Sequence, residues 1–188
     1  MKYDIIVIGS GPGGHVAALK AARKGMSVAV VERAELGGVC VNWGCIPTKA
    51  MLKSAQVYHY FESAAAYGID FEGTVRPSLD KIVARSRGVA EQMNKGVAFL
   101  FKKAGVAVYE GNGRIAAKGV VEVAKADGSV ESIEADHIIL ATGSRPREIP
   151  IMPVDGKRII SSKEALTLSE LPESMIIVGS GAIGCEFA

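Results

Sequence analysis

The stretch YDIIVIGSGPGGHVAALKAARKG, residues 3–25, constrains the fold more than any other part of the chain. Its continuous apolar run, Ile5 to Ile8, is stopped by glycine and reads as a buried parallel strand over 3–8. An alanine-rich helix follows, with Gly25 placed to end it. SVAVVE, residues 27–32, reads as a second buried strand, so the chain opens on a βαβ unit of a doubly wound sheet. Gly9, Gly11 and Gly14 form G-x-G-x-x-G at the turn from strand to helix. The first glycine permits the tight turn, the second lets backbone approach a pyrophosphate, and the third lets helix and strand pack closely. The helix start offers N–H groups and a partial positive charge to phosphate. Glu32 closes the second strand, where a carboxylate can hydrogen-bond a ribose diol; its bland alternative is a solvated strand-end carboxylate.

Gly179, Gly181 and Gly184 repeat the arrangement after MIIV, residues 175–178. Two such turns suggest two different dinucleotides, a flavin and a nicotinamide. The residue that separates NAD from NADP falls about 20 positions beyond the motif, past Ala188. A proline-rich stretch, SRPREIPIMPVDG, reads as a linker. The expected organisation is therefore an α/β, Rossmann-like dinucleotide-binding domain over 1–150. A linker and the truncated start of a second, Rossmann-like dinucleotide-binding domain follow over 151–188. With a strand and only part of a helix in that second unit, the chain reads as an N-terminal fragment of a longer protein.

Between the two turns, residues 48 to about 66 read as a helix after Pro47, and a longer helix is expected over 78–104. There Leu79, Ile82, Val83, Val89, Met93, Val97 and Leu100 recur at helical spacing and Gly105 closes the run. Val106 to Ala135 reads as a β-meander of short strands, and HIILATGS, residues 137–144, as another buried strand.

GGVCVNWGCIPTKA, residues 37–50, holds two of the three cysteines. In a regular helix Cys40 and Cys45 would have Cα atoms roughly 8 to 9 Å apart, whereas a disulfide requires less than about 7 Å. Bonding would need the segment to tighten, which Gly44 allows. A zinc site and a pair of packed free thiols remain open, although neither His15 nor His59 has paired ligand spacing. A thiol at a helix start with a lysine one turn on is arranged for redox chemistry rather than for stapling. Cys185 reads as a small packed thiol, His15 as a helix residue over the glycine turn and His137 as a strand-end residue.

Charge narrows the partners. The formal charge is +2 with acidic and basic residues interspersed, which favours neither nucleic acid nor an anionic membrane. The N-terminal apolar run is too short for a secretory signal and no stretch is long enough to span a bilayer. Three cysteines do not make a disulfide framework. A cytoplasmic location is expected.

GSGPGG, VVER, GGVCVNWGCIPTKA, ATGSRP and GSGAIGCEFA stand in the order found in the pyridine nucleotide-disulfide oxidoreductases, which the chain resembles over its whole length. GCIPTKA looks closer to the members that oxidise dihydrolipoamide than to mercuric or glutathione reductases, the alternative readings beside a non-catalytic dinucleotide-binding fragment. The resemblance implies that Cys40 and Cys45 form a redox-active disulfide, Cys40 exchanging with substrate sulfur and Cys45 lying against the flavin. It implies that 1–150 is the FAD-binding domain and 151–188 the linker and start of the NAD-binding domain, with FAD contacts from Gly9, Gly11, Gly14, Glu32, Lys49, Gly113, Thr142, Gly143 and Ser144. NAD would lie on Gly179, Ser180, Gly181, Ala182, Ile183, Gly184, Cys185 and Glu186. Lys49 is expected to pair with Glu186; by pattern alone both are ordinary surface helix residues. The implied partners are a lipoyl domain of an acyltransferase component and, for the full-length protein, a second copy as homodimer. The family's histidine base matches none of His15, His59 and His137, no metal is expected, and the fragment alone is expected to be inactive.

Overall fold

The apolar run at the start of the chain becomes the centre of a six-stranded sheet of order β3-β2-β1-β6-β5-β4 in the computed structural model, which describes residues 1–188. β1 (Lys2–Ile8) lies parallel to β2 (Val28–Glu32) on one side and to β6 (Val130–Leu140) on the other. Between β1 and β2 runs α1 (Pro12–Ala22), the expected crossover. With strands on both sides, every polar backbone group in the middle of β1 is paired, so the apolar side chains can be fully buried. Ile6 and Val7 are both inaccessible to solvent.

Contacts divide the chain into two units, residues 1–42 with 91–145, and residues 43–90 with 146–188. The first holds the whole sheet. Along β1 the side chains alternate between two cores. Val7, with Val28 and Val30, packs under Ala18 and Leu19 of α1 and under Val97 and Phe101 of α4 (Leu79–Ala104). Ile6 and Ile8, with Ala29 and Val31, are covered by Val121 and Val123 of β5 (Val120–Ala124) and by Ile133 and Ala135 of β6. Helices thus close one face and the meander closes the other, each buried aliphatic side chain contributing about 1.5–3 kcal/mol.

The meander differs from expectation at both ends. β3 (Ala107–Glu110) follows a 26-residue helix rather than a hairpin turn, so it enters as a crossover strand and pairs parallel with β2. Gly111, at φ 149°, then turns the chain out of that edge while its N–H donates to the Glu32 carbonyl, 2.8 Å. Only β4 (Asn112–Ala117), β5 and β6 run antiparallel, with a bulge between Ile115 and Ala117. The strand expected over 137–144 instead spans Val130–Leu140, and its two halves have different partners, β5 antiparallel and then β1 parallel. His137 consequently sits within the strand, opposite Ile5, and not at its end.

The second unit carries α3 (Cys45–Glu62), a 3₁₀ turn over Ala64–Tyr67 and the first half of α4. Arg85 donates to the Ala50 carbonyl, 2.6 Å, and Ser86 to that of Pro47, 2.9 Å, which ties α4 to α3. Trp43 is flanked by the Arg87 guanidinium at 4.0 Å and the Lys163 ammonium at 4.5 Å from its ring centre. Beyond residue 145 come two short helices, α5 (Ser162–Ala165), which the sequence reading missed, and α6 (Ala182–Phe187). The strand expected at 175–178 does not form: no strand pairs with it, and Ile176 is 92 % exposed. No helix is long and apolar enough to cross a membrane.

Candidate functional site

The glycine turn after β1 is shaped by backbone packed against backbone. Gly9 adopts φ 99°, and a Cβ there would collide with the Ala141 carbonyl. That carbonyl is held in place because the Ala141 N–H donates to the Ile8 carbonyl, 2.8 Å. A Cβ on Gly14 would overlap the Gly9 carbonyl oxygen, so the third glycine lets α1 sit directly on the turn. Gly11 differs from both: nothing lies within 4 Å of its Cβ position. It caps α1 with no side-chain hydrogen bond, and Pro12 fills the first turn. The first glycine and the third serve packing, the second leaves open space over an uncapped helix start, and that division fits a pyrophosphate.

Glu32 ends β2 beside this turn and is buried rather than solvated. Its carboxylate accepts from the Ser10 N–H at 2.8 Å, the Ser10 hydroxyl at 2.6 Å and the Ala34 N–H at 3.0 Å. A cleft of about 750 Å³ opens beside it, lined by Glu32, Arg33, Tyr109, Asn112, Lys125 and Asp127 among others. Gly113 lies next to that cleft on β4, but its missing Cβ faces inward, where Ile8 and Val31 stand within 3.0–3.1 Å. Thr142 reaches the turn through its backbone, 3.2 Å from the Cβ position of Gly9, and Gly143 follows at φ 70°. Ser144 is exposed.

Cys40 lies on α2 (Gly38–Trp43), a helix the sequence reading did not anticipate. This helix is seated by glycines and amides. Gly38, at φ 63°, packs on the glycine turn so closely that a Cβ would stand 2.7 Å from the Gly11 Cα. The Asn42 amide donates to the Leu36 and Gly38 carbonyls, both 2.9 Å, and accepts from Asn94 at 3.2 Å. Asn94 also donates to the Leu36 carbonyl, 2.7 Å. Nothing in the sequence reading singled out Gly37, Gly38, Asn42 or Asn94; the two asparagines meet across about fifty residues.

Gly44 interrupts the helix at ψ −119°, and Cys45 opens α3, exposed, with Lys49 one turn on. Lys49 forms an ion pair with Glu186 on α6, the partner expected from the sequence. Around the second motif, Gly179 adopts φ 122° and a Cβ on Gly184 would overlap its carbonyl oxygen. Gly181 caps α6, which Ala182, Ile183, Cys185 and Glu186 occupy, with Ser180 before it. Cys185 is exposed and not packed as expected; its thiol donates to the Ser180 carbonyl at 3.4 Å. The short helix buries none of its residues. His15 contacts the Ser10 carbonyl through Nδ1, 3.2 Å, over the glycine turn. No group of three or more His, Cys, Asp or Glu converges to hold a metal ion.

A parallel sheet with helices on one face, a meander on the other and a glycine turn opposite a strand-end carboxylate is the arrangement of a Rossmann-like dinucleotide-binding domain. The profile of the pyridine nucleotide-disulphide oxidoreductase family matches residues 3–188. The chain belongs to this family, whose members are oxidoreductases that use FAD and NAD. It is 52 % identical over 187 residues to a dihydrolipoyl dehydrogenase of Chlorobaculum parvum, covering all of this chain and 40 % of the relative. With the mitochondrial dihydrolipoyl dehydrogenase of Sus scrofa it shares 41 % identity, covering 97 % of this chain and 36 % of the relative. The crystal structure of LpdA from Mycobacterium tuberculosis superposes with TM-score 0.81 at 31 % identity, covering 90 % of this chain and 38 % of that one. The chain spans about 40 % of the length of the curated relatives it matches.

Proposed function

We propose that residues 1–188 supply the FAD-binding part and the redox cysteines of a dihydrolipoyl dehydrogenase, with 1–150 as the flavin domain and 151–188 as the beginning of the nicotinamide domain. The observation that carries this reading is the seat of the Cys40 helix on the glycine turn, Gly38 against Gly11. A thiol two residues beyond a glycine that rests on this turn is placed for flavin-linked disulfide chemistry. The names and identities of the relatives favour dihydrolipoamide as the substrate.

In this proposal backbone at Gly11 meets the pyrophosphate, in the turn that Gly9 and Gly14 pack, and Glu32 takes the adenosine ribose. Gly113, Thr142, Gly143 and Ser144 pass close to the cofactor by backbone. FAD, when bound, supplies the two-electron relay from the thiols to NAD+. Cys40 exchanges with a sulfur of the dihydrolipoyl group, whose two sulfurs join as the Cys40–Cys45 disulfide opens to two thiols. Cys45 would face the flavin and Lys49 would stand near it, its ammonium held by Glu186. NAD+ occupies the second turn, Gly179 to Glu186, and leaves as NADH. The dihydrolipoyl group arrives on a lipoyl domain of an acyltransferase component, and the complete protein works as a cytoplasmic homodimer.

The test is made on the complete protein. It should purify with a yellow flavin, and Cys45→Ser should reduce NADH-dependent lipoamide turnover to background while flavin absorbance remains. Undiminished turnover in that variant would overturn the proposal.

A further inference from the structure

Ser10 occupies the second position of the first glycine motif and is completely buried, so it meets no ligand. A hydroxyl has one hydrogen to donate and two lone pairs to offer. Here the hydrogen goes to Glu32 Oε2 at 2.6 Å, and a lone pair accepts the Gly37 N–H at 3.1 Å. The Ser10 N–H reaches the same Oε2 at 2.8 Å. Oε2 therefore faces the protein with two donors, while Oε1 has one, the Ala34 N–H. A carboxylate oxygen has two acceptor sites, so Oε1 keeps one for an incoming hydroxyl. The same serine also fixes the turn that leads into α2. Gly37 adopts φ 90° and Gly38 rests on Gly11, two residues ahead of Cys40.

We propose that Ser10 is a positioning residue: its hydroxyl orients the Glu32 carboxylate, leaving Oε1 for an adenosine ribose, and pins the Gly37–Gly38 turn that seats the Cys40 helix. The inference rests on the reading of this turn as the FAD site and adds a residue that acts through another. Without the hydroxyl, Oε2 loses a charge-assisted bond, and the carboxylate is held only by the N–H groups of residue 10 and Ala34, less firmly than before. The Gly37 N–H loses its acceptor at the same time, inside a buried turn.

The experiment compares FAD with its 2′-deoxyadenosine analogue on the full chain, following quenching of flavin fluorescence. The unaltered protein should prefer FAD by about tenfold, the scale of one hydrogen bond to a charged group. Ser10→Ala should weaken FAD binding by about tenfold and bring the preference close to unity. A variant that keeps the preference of the unaltered protein would overturn the role of Ser10. If the unaltered chain binds neither nucleotide, the FAD reading itself fails and the ribose role goes with it. Should Ser10→Ala not fold, amide exchange in the unaltered protein decides: a protected Gly37 N–H supports the bridge, and exchange as fast as in an unstructured peptide overturns it.

Discussion

The two glycine turns have nearly the same local geometry and opposite surroundings. Gly9 and Gly179 both adopt positive φ, 99° and 122°, and Gly11 and Gly181 are both extended at the helix start, ψ 179° and 172°. In each, a Cβ on the third glycine would overlap the carbonyl of the first. Yet Ile6 and Val7 ahead of the first turn are fully buried in a six-stranded sheet, while Ile176 and Val178 ahead of the second are 92 % and 64 % exposed and unpaired. The turn is therefore a local property of the G-x-G-x-x-G sequence. The strand before it is not: a strand forms only where neighbours satisfy its backbone.

The strongest way to break this contrast is to add the same methyl group to both turns. Gly14→Ala drives a Cβ into the carbonyl of Gly9, a residue fixed by its N–H bond to the Val31 carbonyl of β2 and packed against Ala141, and should cost about 3 kcal/mol or more by thermal unfolding. Gly184→Ala makes the same local collision in a segment without a sheet, where the short helix can shift. The main transition should then move by no more than about 0.5 kcal/mol. Equal losses from the two substitutions would mean that the second turn is already part of the cooperative fold. A milder version truncates the side chains ahead of each turn. Ile6→Ala opens a cavity among Ala29, Val31, Val121 and Ile133 and should cost about 2–5 kcal/mol. Ile176→Ala removes surface that is already in water and should fall within about 0.5 kcal/mol of the unaltered chain in denaturant unfolding.

The same contrast explains what could be read in the sequence. β1, α1, β2 and the long helix were legible because apolar period and glycine placement are local signals, and their partners lie within the chain. The ion pair of Lys49 with Glu186 was legible only through resemblance, since 137 residues separate the two. β3 was misassigned because its short apolar run suits either a hairpin or a crossover, and the preceding helix decides between them. α2 was missed because Gly37 and Gly38 look like loop residues. Their positive φ values instead deliver a helix against Gly11, with Asn42 and Asn94 making the contacts. Ser10 carried no signal at all: its function is a matter of burial and of what Glu32 and Gly37 require.

Acid offers the smallest and most selective separation of the two regions, because side-chain carboxylates organise the chain after residue 150. Asp155 accepts from the N–H groups of Lys157, Arg158 and Ile159 at 2.7–2.9 Å. These bonds, Lys157 first, hold its carboxyl below the ordinary 3.8. Glu164 closes a capping box with Ser161, whose hydroxyl and N–H hold that carboxyl below the ordinary 4.5. A carboxyl with a lowered folded value stabilises the ordered form fully above its unfolded value and ceases to do so as pH falls through the folded one. The turn at 155–159 and the start of α5 should accordingly loosen only below about pH 4. Asp4 receives two bonds from Ser27 and follows the same sign, but there the parallel ladder from Ile5 to Ile8 remains when they are lost. Amide chemical shifts should therefore move at Lys157, Arg158 and Ile159 in acid while those of Ile6 and Val7 stay in place. Asp155→Asn, which keeps an acceptor without an ionisable proton, should remove that acid dependence at residues 157–159. If β1 shifts together with 157–159, or the dependence survives in Asp155→Asn, the order of the second segment does not come from its carboxylates.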